Sequence, residues 1–163
     1  MRRRSGSAWL LLAAAPVLVL AAVALGRALG PGPAAPGAYA ARPSLTPGAL
    51  NPDVTQATIR TTICVQGWTR TVRPPASFTS ALKLVQMRRY GFTGQPADYQ
   101  EDHFISLELG GAPSDPRNLW PERRPRADRV DAIENELNAK VCSGELSLTE
   151  AQRREAELKW TQG

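Results

Sequence analysis

Three side chains that could take part in hydrolysis lie in one short stretch of the chain. Asp102 and His103 are adjacent, and Asn118 follows further along. A neutral imidazole can take a proton from water near pH 7, and carboxylate oxygens are ligands of hard divalent cations. Hydrolysis of a phosphodiester bond needs such an activated nucleophile together with charge neutralisation. His103, the only histidine of the 163 residues, is therefore the first candidate for chemistry.

Short strands on either side of a glycine-rich turn are predicted to position these residues. Residues 104–109 have strand character, with alternate apolar side chains on one face, and Gly110 and Gly111 end the strand. Residues 118–120 form a second short strand that ends at Pro121. Regular alternation along the first strand would direct Asp102 and His103 to opposite sides, so that they flank a reacting phosphate.

Three helices are predicted around this hairpin. The first lies between Ser77 or Thr79, either of which can cap it, and Gly91. The second begins at an N-cap, Asp128, and ends at residues 143–144. The last opens with a Ser-x-x-Glu capping box at 147–150 and continues to about Trp160. The second helix has an apolar face formed by Val130, Ile133, Leu137 and Val141.

Residues 61–73, which precede the first helix, are rich in β-branched side chains. The run at 61–65 predicts a short strand, and residues 68–73 alternate in polarity up to Pro74. Together these patterns predict an α+β fold in which the element order around the candidate residues is strand, loop, strand, helix.

The stretch from Asp102 to Pro121 resembles the HNH nuclease family, whose core is a β-hairpin packed on one helix with a single metal ion between them. The matching phrases are 102–111 (DHFISLELGG) and 118–121 (NLWP). A wider resemblance to small exported bacterial HNH-like proteins covers roughly residues 47–160. It includes ICVQGWTRTVRPP at 63–75, VCSG at 141–144 and EAQ at 150–152.

The resemblance implies a role for each matching residue. His103 would be the general base, Asp102 the first metal ligand, and Asn118 an orienting residue whose side chain hydrogen-bonds the backbone of the opposite strand or loop. The family usually supplies a further helix-borne His or Asn as a metal ligand, and no second histidine exists here. Asp131 and Asn135, four residues apart on one helix face, are the alternatives for that position. An all-oxygen site favours Mg²⁺ or Mn²⁺ over Zn²⁺.

Arginines near the motif are candidates for contacts to phosphate. The net charge of +5 says little by itself, because four of the 20 basic residues and none of the 15 acidic ones precede residue 28. A local cluster is more informative, although it could equally be a solvated loop. Its candidate phosphate ligands are Arg117, Arg123, Arg124 and Arg126. Phosphate contacts carry no sequence information, so nonspecific cleavage is expected, of DNA in preference to RNA.

The chain has two cysteines, Cys64 and Cys142. In an oxidising compartment they would form a disulfide that closes a large loop. Two alternatives stay open at this point. One is a pair of buried free thiols, and the other is a zinc site that adds His103, although paired-ligand spacing such as C-x-x-C is missing.

The N-terminal third has the features of an export signal and a linker. Basic residues at 2–4 precede an apolar run at 8–25, which predicts a secretory signal peptide or a retained membrane anchor in residues 1–25. Residues 26–52 are rich in Gly, Ala and Pro and predict a flexible linker. The HNH-like domain is then expected at 53–163. The protein is expected in the periplasm or outside the cell, or anchored to the membrane by 8–25.

Two other functions remain open. The missing family histidine favours a non-catalytic exported domain that keeps the HNH fold as a binding scaffold. A membrane-anchored envelope protein whose domain binds a wall or protein partner is the third possibility. The sequence identifies no particular protein partner.

Overall fold

Two antiparallel strands and four α-helices make up residues 39–161, the part of the chain that this computed structural model describes. The helices are α1 (Trp68–Val72), α2 (Ala76–Tyr90), α3 (Arg124–Ser143) and α4 (Leu148–Thr161). The strands, β1 (Tyr99–His103) and β2 (Leu119–Arg123), lie between α2 and α3. The mixed α+β class is therefore as expected. The predicted signal or anchor at 1–25 lies outside the described residues.

The two strands form a hairpin in which Tyr99 is opposite Arg123 and His103 is opposite Leu119. β1 ends at His103, so the strand predicted at 104–109 is wrong. Those residues turn inward and include a 3-10 helix at Leu107–Leu109. Their apolar side chains are buried, as the alternation suggested. The Phe104 N–H donates to the Asn118 backbone carbonyl, whereas the N–H groups of Ile105 and Ser106 donate to the side chains of Asn118 and Glu155.

β2 continues through Pro121, where a strand end was predicted. Pro121 is opposite Glu101 in the ladder. A two-stranded sheet has only edge strands, and an edge strand tolerates a residue that cannot donate a backbone hydrogen bond. β2 runs directly into α3, which begins at Arg124 with Pro125 in its first turn. Asp128 therefore lies inside the helix and is not its N-cap.

Glycine ends both long helices where the sequence predicts it. Gly91 after α2 and Gly144 after α3 have φ angles of 67° and 83°, a left-handed conformation that favours glycine. The start of α2 differs from the prediction, because its N-cap is Pro75 and neither Ser77 nor Thr79 caps it. At the start of α4, the Glu150 backbone N–H donates to Ser147 Oγ at 3.3 Å, one half of the predicted capping box.

The β-branched segment before α1 contains no strand. Residues Ile59–Thr61 form a 3-10 helix and α1 is helical, so the extended structure expected at 61–65 and the alternation at 68–73 do not describe this region. Threonine hydroxyls explain the difference. Thr61 and Thr62 both donate from Oγ1 to the Thr58 carbonyl, at 3.1 and 2.8 Å, which stabilises a turn where no neighbouring strand is available for pairing.

Residues 39–52 pack on the domain, although the sequence assigns them to a flexible linker. The Ala41 backbone N–H donates to the Lys159 carbonyl at 3.1 Å, and Asn51 N–H donates to the Gly110 carbonyl at 2.9 Å. Ala40, Ala41 and Thr46 are buried. The folded unit thus begins before the predicted boundary at residue 53. Within 39–161, no helix combines the length and apolar character needed to cross a bilayer.

A disulfide joins Cys64 to Cys142 across the core, with their Cα atoms 5.6 Å apart. It connects the segment before α1 to the last turn of α3 over 78 positions of sequence. Since neither sulfur is free, the alternatives of two thiols and of a zinc site with His103 are excluded. The bridge packs beside the buried cluster that includes Ile63, Phe104, Trp120 and Val141.

Replacing both cysteines with alanine is expected to lower the free energy of unfolding by about 3–5 kcal/mol, because a long loop is released in the unfolded chain. Denaturant unfolding of oxidised wild type and of the double variant measures the difference. Thiol labelling of the wild type without reductant should find no free thiol, and two reactive thiols in the folded protein would contradict the pairing.

Candidate functional site

His103 ends β1 with its imidazole buried and oriented by one hydrogen bond. Nε2 lies 2.9 Å from the carbonyl oxygen of Pro113. A carbonyl can only accept, so Nε2 carries the proton and Nδ1 keeps its lone pair in the neutral ring. Burial lowers the pKa of His103, which keeps the ring neutral at pH 7. The imidazole therefore has the tautomer and charge of a general base.

Asn118 holds the loop that contains Pro113. Its side chain accepts from the Ile105 backbone N–H at 2.8 Å and donates to the carbonyls of Ile105 and Ala112 at 2.9 and 3.1 Å. These are the backbone contacts expected of an orienting residue. Gly111 is needed here, because a Cβ atom at this position would collide with the Ile105 carbonyl oxygen and the Asn118 amide. The amide thus fixes the loop that in turn orients His103.

Asp102 is buried beside the ammonium group of Lys159. Its Oδ2 lies 3.1 Å from Lys159 Nζ, and its Oδ1 is 3.4 Å from Gln100 Nε2. Burial opposes ionisation of the carboxyl, but the charge of Lys159 outweighs it and the pKa of Asp102 is lowered. Lys159 Nζ also donates to the His103 carbonyl at 2.6 Å. One ammonium therefore contacts both residues of the Asp-His pair.

Two further carboxylates complete the surroundings of Lys159. Its Nζ lies 2.6 Å from Glu134 Oε1 on α3 and 3.3 Å from Glu155 Oε1 on α4. Burial opposes the charge on the lysine, yet the three carboxylates raise its pKa above the usual range. Burial raises the pKa of Glu134 and Glu155, so these two hold protons more tightly than Asp102 does. The cluster thus contains a firmly ionised Lys159–Asp102 pair.

A cavity of about 210 Å³ opens in front of this cluster. Asp102, His103, Asp131 and Asn135 all line it, so the structure brings together the predicted base and the three predicted metal ligands. The cavity is completed by Arg73, Gln100, Ser106, Leu107, Glu108 and Glu134.

Asp131 is the candidate metal ligand whose side chain makes the fewest polar contacts. Its carboxylate makes no hydrogen bond or ion pair with any residue in 39–161. Burial and, next, the negative charge of Asp102 raise the pKa of Asp131, and both carboxyl groups line the cavity. Asn135 donates from Nδ2 to the Asp131 backbone carbonyl at 2.7 Å, within α3.

These residues fit a hard divalent cation held by few protein atoms. Within the described chain, no group of three or more His, Cys, Asp and Glu side chains is arranged to hold a metal ion. Mg²⁺ usually keeps several waters and is bound by one or two carboxylates together with substrate phosphate. Asp102 and Asp131 both line the cavity and would supply two carboxylates.

The arginines predicted as phosphate ligands do not line this cavity. Arg117 forms an exposed ion pair with Asp115, at 2.6 Å. Arg123 lies over the Tyr39 ring, 4.4 Å from its centroid. Arg124 donates from Nε to the Ala97 carbonyl at 2.8 Å.

Arg126 corrects the prediction most clearly, because its side chain is buried. It pairs with the fully buried Glu122 and donates to the Leu158 carbonyl at 3.1 Å. The four-residue spacing on a continuous path from β2 into α3 brings this pair together, and the arginine stabilises the interior instead of binding substrate.

Glu101, which precedes Asp102 in β1, has a buried carboxyl group although glutamate side chains are mostly exposed. Both carboxyl oxygens are buried, and neither accepts a hydrogen bond from a described residue. Burial raises the pKa of Glu101 to about 8, partly countered by the charge of Lys83 and reinforced by that of Asp102. The carboxyl is therefore largely protonated at neutral pH.

Sequence patterns missed Glu134, Glu155 and Lys159, although a signal exists for each. The buried face of α3 passes through Val130, Glu134 and Leu137, whereas Ile133 is 38% exposed. On α4, Glu155 and Lys159 are buried and four residues apart. Charged residues at regular core positions of two successive helices indicate partners for one another.

Comparison of the chain with models of protein families, with curated proteins and with solved structures finds no match. The functional argument therefore depends on the geometry of the site and on the motif.

Lys159→Met is expected to lower the free energy of unfolding by about 3–5 kcal/mol, because it leaves the buried Asp102 carboxylate uncompensated. Lys140→Met is the matched control. Lys140 makes an exposed ion pair with Glu136, so its loss should lower the free energy of unfolding far less. Denaturant unfolding compares the two, and equal effects would contradict the central role of Lys159.

Glu101→Gln is expected to stabilise the protein at high pH. The folded-state pKa of about 8 exceeds the ordinary 4.5, so folding binds a proton between these values and stability falls as pH rises through this range. The variant should match wild type near pH 4.5 and exceed it near pH 8 by about 1–3 kcal/mol. Thermal unfolding at both pH values measures this, and a parallel pH dependence of the two proteins would contradict it.

Proposed function

We propose that this protein is a metal-dependent endonuclease of the HNH kind, which hydrolyses phosphodiester bonds of nucleic acid with low sequence specificity. DNA is the favoured substrate over RNA. One observation carries the proposal: a neutral imidazole with a free Nδ1 shares a cavity with two carboxylates that are able to bind a divalent cation. The strand, loop, strand and helix around it have the order of the family's core.

In this mechanism, His103 takes a proton from a water molecule at Nδ1 while its Nε2–H stays bonded to the Pro113 carbonyl. The water oxygen forms a bond to phosphorus, and the bond from phosphorus to the leaving oxygen breaks. Asp102 and Asp131 would hold Mg²⁺ or Mn²⁺, with Asn135 as an alternative oxygen ligand on the same helix. A cation there supplies charge neutralisation to the phosphate and the leaving oxygen. Asn118 keeps the loop and the imidazole in place.

The proposed place of action is outside the cytoplasm. The Cys64–Cys142 disulfide is consistent with an oxidising compartment. The basic and apolar leader, which is read from the sequence alone, would direct export or anchor the protein in the membrane.

The first experiment measures plasmid and single-strand cleavage by the full-length, oxidised protein with Mg²⁺, with Mn²⁺ and with EDTA. Cleavage should require the cation. His103→Ala should reduce its rate at least about a hundredfold, because the general base is lost. The unfolding midpoint of this variant should stay near that of wild type. Full activity of His103→Ala would overturn the mechanism.

A matched pair of variants tests the metal site. Asp131→Asn should weaken Mn²⁺ binding roughly tenfold or more, and should cost little stability because its carboxylate makes no hydrogen bond or ion pair with residues 39–161. Asp128→Asn, on the same helix and outside the cavity lining, is the control. Calorimetric titration with Mn²⁺ alone measures both. Identical Mn²⁺ affinities in the two variants would exclude Asp131 as a ligand.

A non-catalytic binding scaffold is the second candidate, and the Lys159–Asp102 ion pair favours it. An ammonium already compensates the carboxylate that would bind the cation. This candidate predicts no cation-dependent cleavage and no Mn²⁺ binding that depends on Asp131. The two titrations and the cleavage assay therefore separate the candidates.

A further inference from the structure

Acidic side chains in the cavity oppose the entry of any nucleic acid. Its lining includes the carboxyl groups of Asp102, Glu108, Asp131 and Glu134. An anionic phosphodiester entering this space is repelled unless cations offset them. Lys159 compensates Asp102 from the interior, but it offers no donor to a ligand in the cavity, because its ammonium is fully buried and its hydrogen bonds go to Asp102, Glu134 and the His103 carbonyl.

Among the described residues that line the cavity, Arg73 is the only arginine or lysine. Its side chain is exposed, and its guanidinium makes no hydrogen bond or ion pair with residues 39–161. The four arginines predicted as phosphate ligands do not line the cavity. Arg73 thus offers up to five N–H donors at the cavity, and a guanidinium matches the geometry of two phosphate oxygens.

Arg73 lines the same cavity as His103, the proposed base, and Asp131, a proposed metal ligand. A phosphate that enters between those two groups would therefore enter the space that the Arg73 side chain also lines.

The backbone that carries Arg73 is held in place, although its side chain is not. Arg73 is the C-cap of α1, with φ −62° and ψ 127°, and its N–H donates to the Thr69 carbonyl at 3.1 Å. The next two residues, Pro74 and Pro75, restrict the chain to this extended conformation. Just before α1, Cys64 is bonded covalently to α3. The backbone position of Arg73 is thus fixed.

We infer that Arg73 binds a non-bridging oxygen of the substrate phosphate in this cavity, next to His103. This inference rests on the proposed function and adds a residue to it. A single guanidinium contact to the backbone adds affinity without reading bases, in keeping with low sequence specificity.

Binding without cleavage tests the inference. A short fluorescein-labelled single-stranded DNA is titrated by fluorescence anisotropy, in EDTA, against full-length, oxidised protein. Arg73→Ala should weaken binding at least about fivefold and reduce the dependence of log affinity on log salt by about 0.7, the loss of one phosphate contact. Arg73→Lys should fall between the two. Arg70→Ala, an exposed arginine on the same helix outside the cavity lining, is the control and should match wild type.

A second measurement locates the contact. Because His103 is the only histidine, its imidazole NMR signals are unambiguous. Titration with dimethyl phosphate should shift them in wild type and in Arg70→Ala, and far less in Arg73→Ala. Equal DNA affinity, equal salt dependence and equal shifts in Arg73→Ala and wild type would overturn the inference, whether or not the protein cleaves. A wild type that binds through Arg73 but never cleaves would instead overturn the proposed endonuclease.

Discussion

The buried ammonium of Lys159 is the point at which three separate parts of the chain meet. It contacts Asp102 and the His103 carbonyl on β1, Glu134 on α3 and Glu155 on its own helix, α4. Glu155 in turn accepts a hydrogen bond from the Ser106 backbone N–H at 2.9 Å. A buried charge is tolerable only when it is paired and hydrogen-bonded, so each of these contacts requires the others. The position of the C-terminal helix and the position of the Asp-His pair are therefore set by the same interaction.

The orientation of the His103 ring depends on hydrogen bonds between uncharged groups. Asn118 bonds to the backbone at Ile105 and at Ala112, the residue before Pro113, whose carbonyl orients His103. The ionic cluster thus fixes the backbone of the histidine, while the amide fixes the acceptor for its ring. These two sets of contacts explain how a hairpin of two five-residue strands can hold a buried imidazole in one tautomer. The backbone hydrogen bonds between such short strands are too few to do so alone.

Local signals in the sequence predicted the elements that end at glycine and the pairing of the two cysteines. The left-handed conformation at Gly91 and Gly144 is a property of the residue itself, so it can be read without knowledge of the fold. Asp102 and His103 were identified from the motif, whereas Asp131 was one of two alternatives on the helix that follows it; all three line one cavity. The mistaken strand at 61–65 shows the opposite case, because β-branched residues form a strand only where a partner strand exists.

The residues that were missed or misplaced are those whose role depends on tertiary contacts. Lysine and glutamate are mostly exposed, so Lys159 and Glu155 look like the polar face of an ordinary helix until the packing of α4 is known. Arg126 looks like a substrate ligand until its burial against Glu122 is seen. Arg73 lies thirty positions before His103 in sequence, and only the folded chain brings it to the cavity.

The disulfide has a consequence for the integrity of the molecule. The segment between Cys64 and Cys142 contains β1, β2, both helices α1 and α2, and nearly all of α3. His103, Asp102, Asn118, Asp131 and Arg73 all belong to this covalent ring, and Lys159 reaches it from outside. A single proteolytic cut in a loop of the ring leaves the two resulting pieces joined through sulfur. A chain cut once in this ring therefore keeps its two pieces together, whereas the halves of an uncrosslinked domain can separate.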